Sequence, residues 1–307
     1  MSTLLAIVGP TASGKSRMGV EVALSLAGCG RGIEIVSCDS MAVYRGLDIA
    51  ADKPTIDARG GIPHHLLDIA DPSEDVTAVA YRDAARRAIA EIGDRGRVPM
   101  LVGGSGLWFR AVVDDLEFAP TAPDVRRRLE AADVGELYET LRRADPDRAA
   151  AIDPRNRRRI VRAAEILEIT GRPPSELRTS WERRCGPYEP TICGLMWDRA
   201  ELLERAAERV QREIEEGLVD EVRRVSARAV SRTAGQALGV KEMLAYVEGR
   251  SSLDEATATL VRNTKRFVRR QLSWFRADRR IEWVNVSEIG WDAARAEITE
   301  RFAASID

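Results

Sequence analysis

The chain has 307 residues, is 44% hydrophobic and 31% charged, and carries a formal net charge of −2 at pH 7. That is enough for one large α/β domain, or a core plus a smaller inserted domain, with a real hydrophobic interior. No apolar run reaches the roughly 18–20 residues of a membrane span, and the near-zero charge excludes a uniformly basic nucleic-acid coat while allowing local basic patches.

The first residues, MSTLLAIVGP, have no basic flank and read as a mature first strand, not a signal peptide. Residues 4–9 form an apolar run that ends in a glycine loop. Residues 15–26 have helical spacing, with Met18, Val22 and Leu26 on one side. Between strand and helix, Gly9, Pro10, Thr11, Ala12, Ser13, Gly14, Lys15 and Ser16 match G-x-x-x-x-G-K-[ST] in its proper context. Backbone N–H groups of such a loop point inward, and the helix N-terminus adds partial positive charge. Lys15 supplies an ammonium to phosphate oxygens and Ser16 a hydroxyl to a bound Mg²⁺. The motif predicts binding of a di- or triphosphate without saying which.

Residues 33–39 form a second buried strand ending in Ser37, Cys38, Asp39 and Ser40. Ligands of open α/β sheets bind at such strand ends. Asp39 there can bind Mg²⁺, accept a proton from a nucleophile, or cap the next helix. Residues 81–92 read as an amphipathic helix and 98–106 as a third strand ending in Gly103, Gly104, Ser105 and Gly106. The diglycine permits a close backbone approach, and Ser105 offers a hydroxyl to the same cleft; a plain turn fits equally well. Strand and helix alternating in this way predict a parallel sheet with helices on both faces.

The pattern changes near Phe118. Residues 118–188 show helical spacing, no convincing strand, and punctuation by Pro120, Pro123, Pro146, Pro154, Pro173 and Pro174. They predict a helical insertion. Residues 191–197 return as a core strand, 200–228 as one long amphipathic helix, 253–276 as another, and 280–286 as a last strand before a closing helix.

Arginine is concentrated in RNRRRIVR (residues 155–162) and RNTKRFVRRQLSWFRADRR (residues 262–280), which fit contacts to backbone phosphates. The only lysines are Lys15, Lys53, Lys241 and Lys265. Cys29, Cys38, Cys185 and Cys193 form no C-x-x-C pair, and the only histidines are His64 and His65. This speaks against a zinc site and for reduced, cytosolic thiols.

Six ordered blocks, GPTASGKS, SCDSMAVYRGLDIAADKP, HHLLDIADP, LVGGSGLWFRA, QALGVKEM and KRFVRRQLSWFR, together resemble the bacterial tRNA dimethylallyltransferase family. They span about residues 9–276. The resemblance implies a P-loop NTPase-like core over residues 1–117 and 189–307, with the helical insertion 118–188 contacting tRNA. It implies a cytoplasmic, monomeric enzyme with Mg²⁺. Such an enzyme moves the dimethylallyl group of dimethylallyl diphosphate to N6 of the adenosine just 3′ of the anticodon.

By the same resemblance Asp39 is the general base and Ser105, in the place of the family's Thr, hydrogen-bonds the reacting amine. Gly9, Thr11, Ala12, Ser13, Gly14, Lys15 and Ser16 hold the diphosphate, with Arg205 as a clamp and Arg209 a turn further on. The tRNA contacts fall on Asp39, Ser40, Met41, Ala42 and Ser105. They continue on Arg158, Arg159, Ile160, Val161 and Arg162, on Gln236 and Lys241, and on Arg269, Arg270 and Gln271. Besides Ser105, Val240 stands where the family has Tyr, and Ala50-Ala51 where Gly-Thr is common. The competing readings are an ATP-using small-molecule kinase, an adenylate prenyltransferase and a non-catalytic RNA-binding module. The kinase reading lacks the usual acidic residue at the GGSG strand end; the two arginine clusters favour tRNA over a free nucleotide.

Overall fold

The computed structural model describes residues 2–28, 30, 32–176 and 186–306; Cys29 and Cys185 lie outside them. The described chain forms two compact units, 1–113 with 187–307, and 114–186.

The larger unit is built on β1 (Ser2–Val8), α1 (Lys15–Gly28), β2 (Ile33–Cys38), the short β3 (His64–His65), α2 (Ala78–Asp94), β4 (Val98–Gly103) and α3 (Gly106–Val113). The six strands of its sheet are all parallel, in the order β3-β2-β4-β1 followed by β5 (Tyr188–Met196) and β6 (Ile281–Asn285). Leu4 to Val8 are almost wholly buried, as a central parallel strand covered on both faces must be. Alternate residues serve opposite cores: Leu4, Ala6 and Val8 pack on one side, Leu5 and Ile7 on the other. Met18, Val22 and Leu26 of α1 fill the second core, as their spacing predicts.

The register determines where the site lies. Val8 of β1 and Cys38 of β2 both pair with Gly103 of β4. The loops that follow all three strands therefore leave the sheet at one edge. A parallel sheet whose central strand runs into the phosphate loop is the P-loop NTPase-like arrangement.

The smaller unit carries α4 (Pro123–Ala131), α5 (Val134–Ala144), α6 (Pro146–Ala150) and α7 (Arg157–Thr170), with no strand among its described residues. Ile160 and Val161 lie in its apolar core. The buried carboxylate of Glu165 accepts from Ala122 N–H and pairs with Arg126 and Arg162.

After β5 come α8 (Arg199–Glu215), α9 (Leu218–Ser226), α10 (Val240–Val247), α11 (Leu253–Arg276), the one-turn α12 (Val286–Ile289) and α13 (Trp291–Ile306). The single helix expected over 200–228 is two, because Gly217 sits at φ +99° and breaks the chain direction. Apolar periodicity survives the break, since Leu202, Ala206 and Val210 before it and Leu218 and Val222 after it are all buried. The second helix brings Glu221 under the loop after β2. Its buried carboxylate accepts from the N–H groups of Asp48, Ile49 and Ala50 at 2.8, 2.8 and 2.9 Å. α11 matches its predicted span residue for residue, helped by a capping box between Ser252 and Glu255.

Candidate active site

The phosphate loop joins β1 to α1 with Ala12 at φ +63° and Gly14 at φ +80°. Left-handed residues in such a turn aim successive N–H groups into one concavity, the condition for gripping an anion. For Ala12 that conformation is strained, and strain of this kind gathers at functional sites. Neighbouring elements hold the loop from outside. Trp197 Nε1 donates to Ser13 O at 3.0 Å, and Arg205 Nε donates to Ala12 O at 3.1 Å while its guanidinium lies 4.0 Å from the Trp197 ring centre. Arg209 donates to Thr11 Oγ1. Ser13 Oγ is buried without a hydrogen-bond partner among the described residues.

Among the described residues Lys15 Nζ donates only to Pro10 O, at a long 3.3 Å. Burial lowers its pKa from the ordinary lysine value, opposed by the charge of Asp39. The ammonium is thus desolvated and weakly committed, as a phosphate-binding lysine should be. Lys15, Ser16, Asp39, Asp52 and Arg209 line one small cavity of ≈ 40 Å³ at the sheet edge. Oxygen Oδ1 of Asp39 accepts from Met41 N–H at 2.8 Å, which closes a turn after β2 and caps no helix. Its Oδ2 makes no hydrogen bond among the described residues.

Ser105 Oγ accepts from Ser40 N–H at 3.0 Å and lies 3.3 Å from Ser40 Oγ. It fastens the turn after β4 to the loop that carries Asp39. The diglycine beside it is a close approach and not a plain turn. A Cβ on Gly103 would stand 2.0 Å from Cys38 O, and one on Gly104 would stand 2.5 Å from Gln271 Nε2 and 3.3 Å from Lys15 Cε.

Arg209 is fixed by three acceptors: Asp52 at 3.1 Å, Glu213 at 2.6 Å, and Thr11. Burial works to lower its pKa, but the two carboxylates raise it, so it stays cationic. Lys53 spends its ammonium on Tyr44 O at 2.6 Å, Asp48 at 2.7 Å and Asp68 at 2.5 Å. It pins the loop that forms the cavity wall and has no donor left for a substrate.

Four residues expected at the tRNA face have side chains engaged or buried within the protein. Ile160 and Val161 are buried in the helical unit. Arg162 donates to Ala119 O, Pro120 O and Glu165 inside that unit. Gln271 is buried, with both ends of its amide bonded within the protein: Oε1 accepts from Thr11 N–H at 2.8 Å and Nε2 donates to Gly104 O at 2.9 Å. Ala42 is buried and Met41 half-buried. Arg158 and Arg159 are exposed. So are Arg269 and Arg270 on α11, where Arg270 lies 5.6 Å from the Phe267 ring centre. Gln236 and Lys241 are exposed and line a separate cleft of ≈ 810 Å³ with Arg250 and Arg262. Trp274 packs on Gly106, and Phe275 is buried edge-on against Phe109.

A family model of IPP transferases matches residues 42–278. The tRNA dimethylallyltransferase of Streptomyces coelicolor is 47% identical, over 99% of this chain and 95% of its own. The one from Halalkalibacterium halodurans is 40% identical, over 99% and 98%. The crystal structure of the full-length tRNA isopentenylpyrophosphate transferase from Bacillus halodurans superimposes with a TM-score of 0.74 at 39% identity, covering 100% of this chain and 97% of that one. The chain belongs to the IPP transferase family.

In this IPP transferase family member, the motifs expose Lys15, Ser16 and Asp39, but not what holds them. Arg209, Trp197 and Glu221 reach the phosphate loop and the loop after β2 across 173 to 198 positions of sequence, which no local spacing marks, while Glu213 lies one helical turn from Arg209. Asp52 stands beside Lys53 at φ +49°, a conformation only the structure shows. Among the described residues no helix is long and apolar enough to cross a membrane.

Proposed function

We propose that the chain transfers the dimethylallyl group of dimethylallyl diphosphate to N6 of the adenosine just 3′ of a tRNA anticodon, releasing diphosphate. One observation carries the proposal: the Asp39 carboxylate and the Lys15 ammonium line the same cavity, beyond the ends of β2 and β1 that flank β4. A base and an anion cradle are what this substitution needs together.

The allylic carbon–oxygen bond breaks as negative charge builds on the leaving diphosphate. Loop N–H groups, Lys15 and Arg209 are placed to neutralise that charge, stabilising the transition state more than the ground state. Arg205, bonded to Ala12 O, orients the loop and completes its positive rim. The adenine amine is nearly non-basic until it attacks; the unbonded oxygen of Asp39 then takes its proton. Ser105 hydrogen-bonds the same amine and holds it in line. The exposed Ser16 hydroxyl is a hard donor, which suits Mg²⁺ held mainly by substrate phosphates and water. Such an ion supplies further charge neutralisation to the diphosphate. The adenine must leave the anticodon stack to reach the cavity.

In this reading residues 1–117 and 189–307 are the catalytic core and 118–188 bind tRNA. Arg158, Arg159, Gln236, Lys241, Arg269 and Arg270 supply the contacts. The enzyme works as a cytoplasmic monomer. The test is mass spectrometry of nucleosides from anticodon stem-loop RNA incubated with enzyme, Mg²⁺ and dimethylallyl diphosphate. A prenylated adenosine is expected. Unmodified RNA, together with phosphoryl transfer from labelled ATP to any acceptor, overturns the proposal in favour of a kinase.

A further inference from the structure

Helix α11 carries Arg269 and Arg270 on its exposed side, and the next residue, Gln271, turns inward. Its carboxamide is the only side-chain group described as bonding both loops of the site. The acceptor end receives Thr11 N–H of the phosphate loop at 2.8 Å, and the donor end reaches Gly104 O of the diglycine turn at 2.9 Å. Gly104 is followed directly by Ser105, whose hydroxyl fastens the Asp39 loop through Ser40 N–H. A Cβ at Gly104 would lie 2.5 Å from Gln271 Nε2 and 3.0 Å from Gly9 O, so the amide is wedged where the two loops come closest.

An amide is the one neutral side chain that offers an acceptor and two donors in a planar group of fixed reach. Here it faces a donor on one loop and an acceptor on the other. Replacing it by an apolar group leaves a buried N–H and a buried C=O without this partner, and such groups then seek others by moving. Movement of Thr11 opens the anion cradle. Movement of Gly104 swings Ser105 and, through Ser40, the loop of Asp39. Because productive geometry tolerates little displacement, either shift is costly to the rate.

We propose that Gln271 is a positioning residue that sets the distance between the phosphate loop and the Ser105 turn. It thereby ties the basic helix α11 to the machinery that ionises the donor. The proposal rests on the transfer reaction above, and it assigns Gln271 to diphosphate binding and alignment instead of RNA contact.

The test uses the full chain with Gln271→Met and Gln271→Glu. Met keeps the volume and removes both hydrogen bonds. It is expected to weaken inorganic diphosphate binding, measured by calorimetry, and to lower kcat, each roughly ten- to a hundredfold, while Kd for the stem-loop RNA is unchanged. A fold-stabilising role alone would lower the melting temperature and leave diphosphate affinity of the folded protein intact. Glu keeps the acceptor for Thr11 but can donate to Gly104 O only when protonated. Its activity relative to the parent protein is therefore expected to rise as pH falls. Wild-type diphosphate affinity and kcat in Gln271→Met, or a loss confined to RNA affinity, overturns the proposal. If Gln271→Met does not fold, a pH-independent ratio for Gln271→Glu does so. Failure of the parent protein to prenylate RNA would instead sink the transfer reaction, leaving the diphosphate measurement to judge Gln271.

Discussion

Replacing Glu221 by Gln removes one charge and changes one atom, yet the loop it supports should notice. Oε2 accepts from Asp48 and Ile49 N–H, and Oε1 from Ala50 N–H. In the Gln variant the amide oxygen can keep the two bonds at one position, and the NH₂ then faces the third N–H, donor against donor. One charge-assisted bond is lost outright, about 1.5–3 kcal/mol, and two fall to the neutral range, about 1 kcal/mol each. Relief of burying a carboxylate offsets part of this, which leaves a net loss of about 2–4 kcal/mol. Urea denaturation monitored by tryptophan fluorescence reads it directly. With a slope of roughly 3 kcal/mol per molar, the midpoint should fall by about 1 M with the slope unchanged. The same loop carries Asp52 and Lys53, so diphosphate binding should weaken as well. A midpoint equal to the parent protein's would show that the three N–H groups find equivalent partners, refuting the claim that Glu221 organises the cavity wall.

Four further outcomes follow from the geometry. Asp39→Ala should lower single-turnover prenyl transfer by about 10²–10⁴ with RNA binding retained; transfer at the parental rate would remove Asp39 as the base. Gly103→Ala must push a methyl into the β2 backbone, 2.0 Å from Cys38 O, and should cost about 3 kcal/mol or more in a thermal melt. Replacing both Arg158 and Arg159 by Ala should reduce the slope of log Kd for stem-loop RNA against log salt by about one per arginine, while kcat at saturating RNA stays put. Burial works to raise the Glu34 pKa, but hydrogen bonds from Arg95 and His65 hold it below its ordinary 4.5. Its contribution to stability is therefore complete above that value and lost as pH falls through the lower folded one. Arg95→Ala should flatten the acid limb of the melting temperature in that window, and an unchanged limb would show the pairing to be idle.

Much of this protein was legible in its sequence because the governing physics is local. An apolar run ending in G-x-x-x-x-G-K-S dictates strand, anion-binding turn and helix within sixteen residues, and the capping box of Ser252 and Glu255 sets where α11 begins. The parallel sheet followed from alternation of strand and helix, since parallel neighbours need crossovers. Local periodicity failed where one residue overrides it, as Gly217 does when it splits 200–228 into two helices with buried faces of the same kind. Residue type also says nothing of where an arginine or amide spends its donors. Arg162 and Gln271 look like RNA contacts in a basic string, and only the fold shows their partners. The strand order was decided by tertiary structure alone, and with it the meeting of Asp39, Lys15, Arg209 and Asp52 at one edge. Those contacts join residues far apart in the chain, and their energy depends on distance in space, which no spacing along a sequence encodes.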